Sequence, residues 1–141
     1  MLETLKWTDS GVLFIDQTKL PVEEIWVNCP NYEAVANAIR TMIVRGAPAI
    51  GVAAALGIAL GARELNVTSI SEFRNGFGQI CRVMGETRPT AVNLFWAIRR
   101  MRRRFEEISG RPIPLIKQAL IDEALSIHAE DIATNRAMGM N

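Results

Sequence analysis

The sequence has 141 residues, of which 49% are hydrophobic and 22% charged, and its formal net charge is +1. This length suits a single domain, and the near-neutral charge argues against a general nucleic-acid binder. The two cysteines are too few for a disulfide framework and lack metal-ligand spacing, so we expect no bound metal.

The first 29 residues are predicted to form a small antiparallel β-sheet. Residues 4–8 and 12–16 have the composition of strands, and residues 9–11 between them suit a hairpin turn. Residues 24–29 alternate weakly and form a third predicted strand. Asn31 then suits the cap position of a first helix.

About five helices are predicted over residues 30–141. The first has one apolar face with helical spacing, formed by Val35, Ala38, Ile39, Met42 and Ile43. The second begins near Pro48. Residues 47–62 contain only Ala, Gly, Val, Ile, Leu and Pro. This stretch is shorter than the roughly 20 residues that cross a bilayer, so we expect a helix buried on nearly all sides and no membrane partner.

Later boundaries come from caps and breakers. Ser69 caps the third helix, the fourth begins near Thr90, and the last begins near Pro114 and runs to about Met138. In the second helix, Gly57 is followed four residues later by another glycine, a spacing that lets a neighbouring helix approach closely. The predicted fold is therefore α+β, with the sheet at 1–29 and a helical bundle at 30–141.

The segment at residues 45–51 has the chemistry of an anion site. Arg45 supplies a planar guanidinium suited to phosphate oxygens. Gly46 allows close approach of the backbone, and the amides around Ala47 and Pro48 stand at a positive helix end. An ordinary helix start beside a surface arginine explains the same residues equally well.

This segment resembles the RGAPAIG signature of methylthioribose-1-phosphate isomerases and their relatives. Three further stretches resemble that family: residues 5–9 with 16–21 resemble its N-terminus, 87–94 its second signature, and 135–139 the end of its N-terminal domain. The resemblance runs the whole length of the chain without visible gaps.

The resemblance implies roles for particular residues. Arg45, Gly46 and Ala47 would contact the substrate, and Arg88 would join them from the second signature. The family's catalytic cysteine and aspartate lie in a second, Rossmann-like domain, so no catalytic residue is expected in this chain. We therefore expect residues 1–141 to be the N-terminal domain of a two-domain protein that needs no organic cofactor or metal.

Other reactive side chains are assigned no chemistry. Cys29 ends a predicted strand, and Cys81 lies on a predicted core stripe, where cysteine acts as a small hydrophobe. His128 has apolar neighbours three and four residues away and suits a structural role. The arginines at 99–104 cover too broad an arc for one docking stripe, so we interpret them as a solvated face, with an RNA-binding patch as the minority alternative.

The implied activity is conversion of methylthioribose 1-phosphate to methylthioribulose 1-phosphate in methionine salvage. A non-catalytic sugar-phosphate-binding or regulatory protein, akin to the regulatory subunits of initiation factor two-B, is the alternative; ribose-1,5-bisphosphate isomerase is a third. The stretch containing Trp7 and Asp16 favours the first. Expected partners are the phosphorylated sugar and either a second copy of the chain or the C-terminal domain. The N-terminus shows no secretory signal, so we expect a cytoplasmic protein.

Overall fold

A three-stranded antiparallel sheet opens the fold. The computed structural model describes residues 5–15, 25–41, 47–88 and 91–139. Its strands are β1 (Leu5–Thr8), β2 (Gly11–Ile15) and β3 (Trp26–Cys29). They are arranged in the order β1-β2-β3, so the predicted hairpin and third strand are confirmed.

The turn between β1 and β2 requires glycine at its end. Thr8 pairs with Gly11, which leaves a two-residue turn between them, and the Thr8 hydroxyl donates to the Gly11 carbonyl at 2.9 Å. Gly11 has φ = 139°, a conformation that residues with a Cβ rarely adopt. A Cβ there would also overlap the Cys29 carbonyl oxygen of β3. The glycine thus permits both the turn and the close passage of the third strand.

Five helices follow within the described residues, as predicted. They are α1 (Tyr32–Arg40), α2 (Ala47–Arg63), α3 (Ile70–Gly85), α4 (Val92–Ile108) and α5 (Ile113–Gly139). The predicted caps form, since Asn31 Oδ1 accepts from the Ala34 amide at 2.8 Å and Ser69 Oγ accepts from the Glu72 amide at 3.1 Å. Two residues of the face predicted for the first helix, at 42 and 43, lie outside the described residues.

Helix α2 is the centre of the bundle. Every residue from 50 to 62 is buried, and α2 contacts all four other helices. A Cβ on Gly57 would lie 2.8 Å from side-chain atoms of both Val35 in α1 and Met84 in α3. The predicted close approach of neighbouring helices is therefore real. Within the described ranges, no helix combines the length and apolar character that crossing a bilayer requires.

Helix α5 runs back along α2 and brings its final turns to the start of that helix. Near the beginning of α5, Lys117 Nζ donates to the carbonyl oxygens of Arg63 at 3.1 Å and Leu65 at 2.6 Å, at the end of α2. Ile127, further along α5, faces a cavity at the start of α2. The two helices are therefore antiparallel.

One face of α5 is buried, and His128 lies beside it. Its buried residues are Ile116, Leu120, Ala124 and Ile127. Leu125 is 36% exposed and His128 is half-buried, so the histidine flanks the core rather than lying within it. The spacing of the buried residues keeps one face of this helix against α2, as helical periodicity requires.

Candidate ligand site

The predicted site residues belong to the starts of two helices. Ala47 is the first residue of α2, while Arg45 and Gly46 lie outside the described residues. Arg88 is half-buried and stands just before α4, where the Ala91 amide donates to its carbonyl oxygen at 2.9 Å. Helix α2 thus begins one residue before Pro48, near which its start was predicted.

The backbone leading to Arg88 is held in place by Thr87. Among the described residues, Thr87 is the one buried polar side chain outside the apolar core, at 7% exposure. Its hydroxyl donates to the Met84 carbonyl at 2.6 Å, and its amide donates to the same oxygen at 3.2 Å. A buried polar group that is satisfied in this way fixes the chain entering α4.

The starts of α2 and α4 meet. A Cβ on Gly51, in the second turn of α2, would lie 3.0 Å from the backbone oxygen of Asn93, the second residue of α4. Ala91 caps α4 without a side-chain hydrogen bond, and the first turn of α2 contains no acidic residue. No acidic residue lies in the first turn of either helix, so the amide groups there present the positive end of the helix dipole.

A cavity of about 370 Å³ lies between these helix starts and the final turns of α5. It is lined by Pro48, Gly51, Val52, Asn93, Trp96, Ile127, Glu130, Asp131 and Thr134. Its size falls in the range of small-molecule sites. Arg88 is not among the described residues that line it, so the structure brings the two helix starts together but not the Arg88 side chain and this cavity.

The α5 wall of the cavity is tied to α4 by one arginine. Arg100 Nη1 and Nη2 donate to the two carboxylate oxygens of Glu130 at 2.7 and 2.6 Å, and Nε donates to Glu123 at 2.6 Å. The hydrogen bond from Arg100 lowers the pKa of Glu130, and the pKa of Arg100 is raised by that same bond. The Arg100 guanidinium also lies over the ring of Trp96, 5.5 Å from its centroid.

The solvated-face interpretation is therefore wrong for Arg100, whose side chain is only 16% exposed. Other charged residues of α4 form ion pairs as well. Glu106 pairs with Arg74 of α3, and Glu107 pairs with Arg104 at 3.2 Å. The sequence did carry a signal, since Trp96 and Arg100 are four residues apart on one helix face. This spacing could be interpreted only once the packing of α4 against α5 was known.

The two cysteines are buried thiols of low reactivity. Burial raises the pKa of both Cys29 and Cys81 to about 11, although Arg102 opposes the shift at Cys81. A thiol with so high a pKa is a poor nucleophile at neutral pH. No group of three or more His, Cys, Asp or Glu within the described part of the chain could hold a metal ion.

Comparison with known proteins identifies the family. The sequence model described as "Initiation factor 2 subunit family" matches residues 43–141. The chain belongs to this family. The matched part contains helices α2 to α5 and every described residue that lines the cavity.

Relatives within the family carry the name of an isomerase. The chain is 62% identical over 141 residues to "Methylthioribose-1-phosphate isomerase" of Koribacter versatilis, covering 100% of this chain and 40% of that protein. It is 50% identical over 136 residues to the protein of the same name from Trichlorobacter lovleyi, covering 96% of this chain and 39% of that protein. The chain thus spans about 40% of the length of the curated relatives it matches.

Two solved structures share the fold. The 5-methylthioribose 1-phosphate isomerase from Pyrococcus horikoshii OT3 is 41% identical, with a TM-score of 0.88 over 92% of this chain and 36% of that one. The delta subunit of translation initiation factor eIF-2B from A. fulgidus is 38% identical, with a TM-score of 0.85 over 94% of this chain and 38% of that one. The family's fold is therefore a three-stranded antiparallel sheet followed by five helices in this part of the chain.

Proposed function

We propose that this chain is the N-terminal, phosphate-holding part of an isomerase. The whole protein would convert methylthioribose 1-phosphate to methylthioribulose 1-phosphate in methionine salvage, in the cytoplasm. The relatives named for this enzyme support the proposal. The observation that carries it is the cavity of about 370 Å³ at the start of α2, immediately after Arg45 and Gly46 in the sequence.

The chain would contribute binding rather than bond-making. The substrate phosphate would lie at the positive starts of α2 and α4, held by Arg45, the Gly46 and Ala47 backbone, and Arg88. The 1-phosphate of the substrate blocks simple opening of the sugar ring, so an acid must assist at the ring oxygen. Hydrogen then moves from C2 to C1 in a site that excludes water. By resemblance, the cysteine and aspartate for these steps belong to the second domain.

A non-catalytic sugar-phosphate-binding or regulatory role is the second candidate. The likeness to the eIF-2B delta subunit favours it, since that structure fits nearly as well as the isomerase. Both candidates use the same site, and they differ in whether bound ligand is converted.

The proposed protein partner is a second copy of the chain or the remaining domain of the whole protein. An exposed apolar side chain at the start of α4 supports such an association, since Val92 is 75% exposed. Exposed apolar surface of this kind is common where another protein surface docks.

A chimera tests the proposed function. Residues 1–141 replace the matching segment of the Koribacter versatilis protein, to which they are 62% identical. Arg45→Ala and Arg88→Ala are then introduced singly and together, and conversion of methylthioribose 1-phosphate is followed. Each single change is expected to lower kcat/KM by about 10- to 150-fold, the value of a charge-assisted contact. Since both arginines would hold one phosphate, the double variant should lose less kcat/KM than the product of the two single fold-losses.

The matched control is Arg103→Ala. Arg103 is exposed on α4 and lines no described part of the cavity, so kcat/KM should stay within about twofold. An unmodified chimera that folds and binds the substrate without converting it would favour the regulatory candidate. Arginine variants no worse than the control would remove Arg45 and Arg88 from the site.

A further inference from the structure

One wall of the cavity joins a fixed carboxylate to an aromatic ring. Glu130 and Trp96 both line the cavity, one from α5 and one from α4. Arg100 binds both carboxylate oxygens of Glu130, at 2.7 and 2.6 Å, and its guanidinium covers the Trp96 ring at 5.5 Å. One side chain, itself 16% exposed, thus fixes two ligand-facing groups.

The fixed carboxylate keeps capacity to accept further hydrogen bonds. Each carboxylate oxygen has two lone pairs, and the arginine fork occupies one on each. The Glu130 side chain is 58% exposed, so the remaining lone pairs are accessible from the cavity. A hydroxyl group donates well to such an oxygen. The Trp96 ring, 45% exposed, offers an apolar face of the kind against which the C–H groups of a sugar pack.

We propose that Glu130 and Trp96 form a subsite for the hydroxyl-bearing body of a phosphorylated ligand, with Arg100 as the residue that positions both. This inference rests on the proposed function, because the phosphate of that ligand would lie at the helix starts.

The distribution of charge gives the ligand one orientation. The starts of α2 and α4 carry partial positive charge, whereas the α5 wall carries the carboxylates of Glu130 and Asp131 and the hydroxyl of Thr134. Arg100 offsets the charge of Glu130, and the helix starts, rather than the α5 wall, attract the phosphate. Neutral hydroxyl groups would be hydrogen-bonded at the α5 wall, so the sugar body points towards α5.

Two probes separate the phosphate end from the sugar body. Methyl phosphate has the same monoester group as ribose 1-phosphate but carries no hydroxyls. Binding of each to the 141-residue chain is measured by NMR titration up to millimolar concentrations. The wild-type chain is expected to bind ribose 1-phosphate at least about tenfold more tightly than methyl phosphate, since hydrogen bonds to a charged group are the strong ones. Glu130→Gln, which breaks the paired contact with Arg100, should reduce this ratio to about threefold or less.

The control is Glu107→Gln. Glu107 pairs with Arg104 at 3.2 Å on an exposed part of α4 and is not among the residues that line the cavity, so its loss should leave the ratio within about twofold of wild type. Arg100→Lys should lower the ratio as Glu130→Gln does, because an ammonium cannot hold both oxygens. The ratio of the two affinities separates a positioning role from a general loss of stability. Each glutamate variant loses an ion pair, but the ratio should fall only where the sugar subsite is disturbed.

The outcomes distinguish the two proposals. If methyl phosphate binds but ribose 1-phosphate binds no better, the sugar subsite is wrong and the phosphate site stands. If the ratio survives Glu130→Gln, the subsite is likewise wrong. If neither probe binds at all, the phosphate site of the proposed function fails together with the inference.

Discussion

Burial sets the reactivity of the two cysteine thiols in this protein. Cys29 and Cys81 are 2% and 1% exposed, and burial raises the pKa of each thiol to about 11. At pH 7.5 almost none of either thiol is ionised, and the thiolate is the reactive form. Iodoacetamide should therefore modify both cysteines at least about tenfold more slowly in the folded chain than in urea. Mass spectrometry of timed samples measures this, and equal rates would contradict the burial of the thiols.

The same shifts make a prediction about pH and stability. Because the pKa of each thiol in the folded chain lies above its ordinary value of 9.0, the neutral thiols favour the folded state below pH 9. That contribution is lost as the pH rises towards about 11, where the unfolded chain releases protons that the folded chain keeps. Cys81→Ala should show a shallower decline of the free energy of unfolding over this range than wild type, as measured by urea denaturation.

Arg100 shows what residue types alone cannot reveal. In the sequence it is one of five arginines between 99 and 104, and their shared helix suggested a single solvated face. In the fold, its position opposite Glu123 and Glu130 separates it from the others. That position depends on how α4 and α5 pair, and a charge pattern on one helix carries no information about the helix beside it.

At the scale of elements, the glycines of α2 and α3 provide a matched comparison. A Cβ at Gly57 would lie 2.8 Å from the stiff Val35 side chain, whereas a Cβ at Gly78 of α3 would meet nothing within 4 Å. Replacement by alanine favours the helix by about 0.5–1 kcal/mol at both positions. At Gly57 the crowding should outweigh this and destabilise the protein by about 1–3 kcal/mol.

Urea denaturation of Gly57→Ala and Gly78→Ala measures this contrast. Gly78→Ala should be as stable as wild type or more so. If both variants were stabilised, the close packing of α1 and α3 on α2 would be wrong, because the two positions differ chiefly in the space beside them.

Elements with strong local signals could be predicted from the sequence. The cap at Ser69, the turn before Gly11 and the apolar run of α2 each act through nearby residues, and all three appear as expected. The buried face of α5 could not be assigned from the sequence, because this helix offers apolar residues on more than one side. Contact with α2 selects the face containing Leu120 and Ile127.

At the scale of the whole molecule, the site arises from helix ends that are distant in sequence. Residues near 48, 93 and 130 meet because α5 returns along α2 and α4 starts against Gly51. The sequence identified the first two regions through their signatures. It could not identify the third, since Glu130 belongs to no motif and reaches the cavity only through helix packing.

This arrangement also predicts what residues 1–141 do by themselves. The cavity offers helix starts, a fixed carboxylate and apolar lining, but the buried cysteines are protonated and no catalytic role is assigned to its residues. The relatives named as isomerases are longer, and the chain spans 40% of the Koribacter versatilis protein. The purified 141-residue chain should therefore bind methylthioribose 1-phosphate without converting it.

NMR detection of methylthioribulose 1-phosphate over several hours, with the full-length Koribacter versatilis protein as a positive control, measures this. Conversion at a rate near that of the full-length protein would mean that the reacting groups lie within these 141 residues after all, and that the division between holding and converting the substrate is wrong.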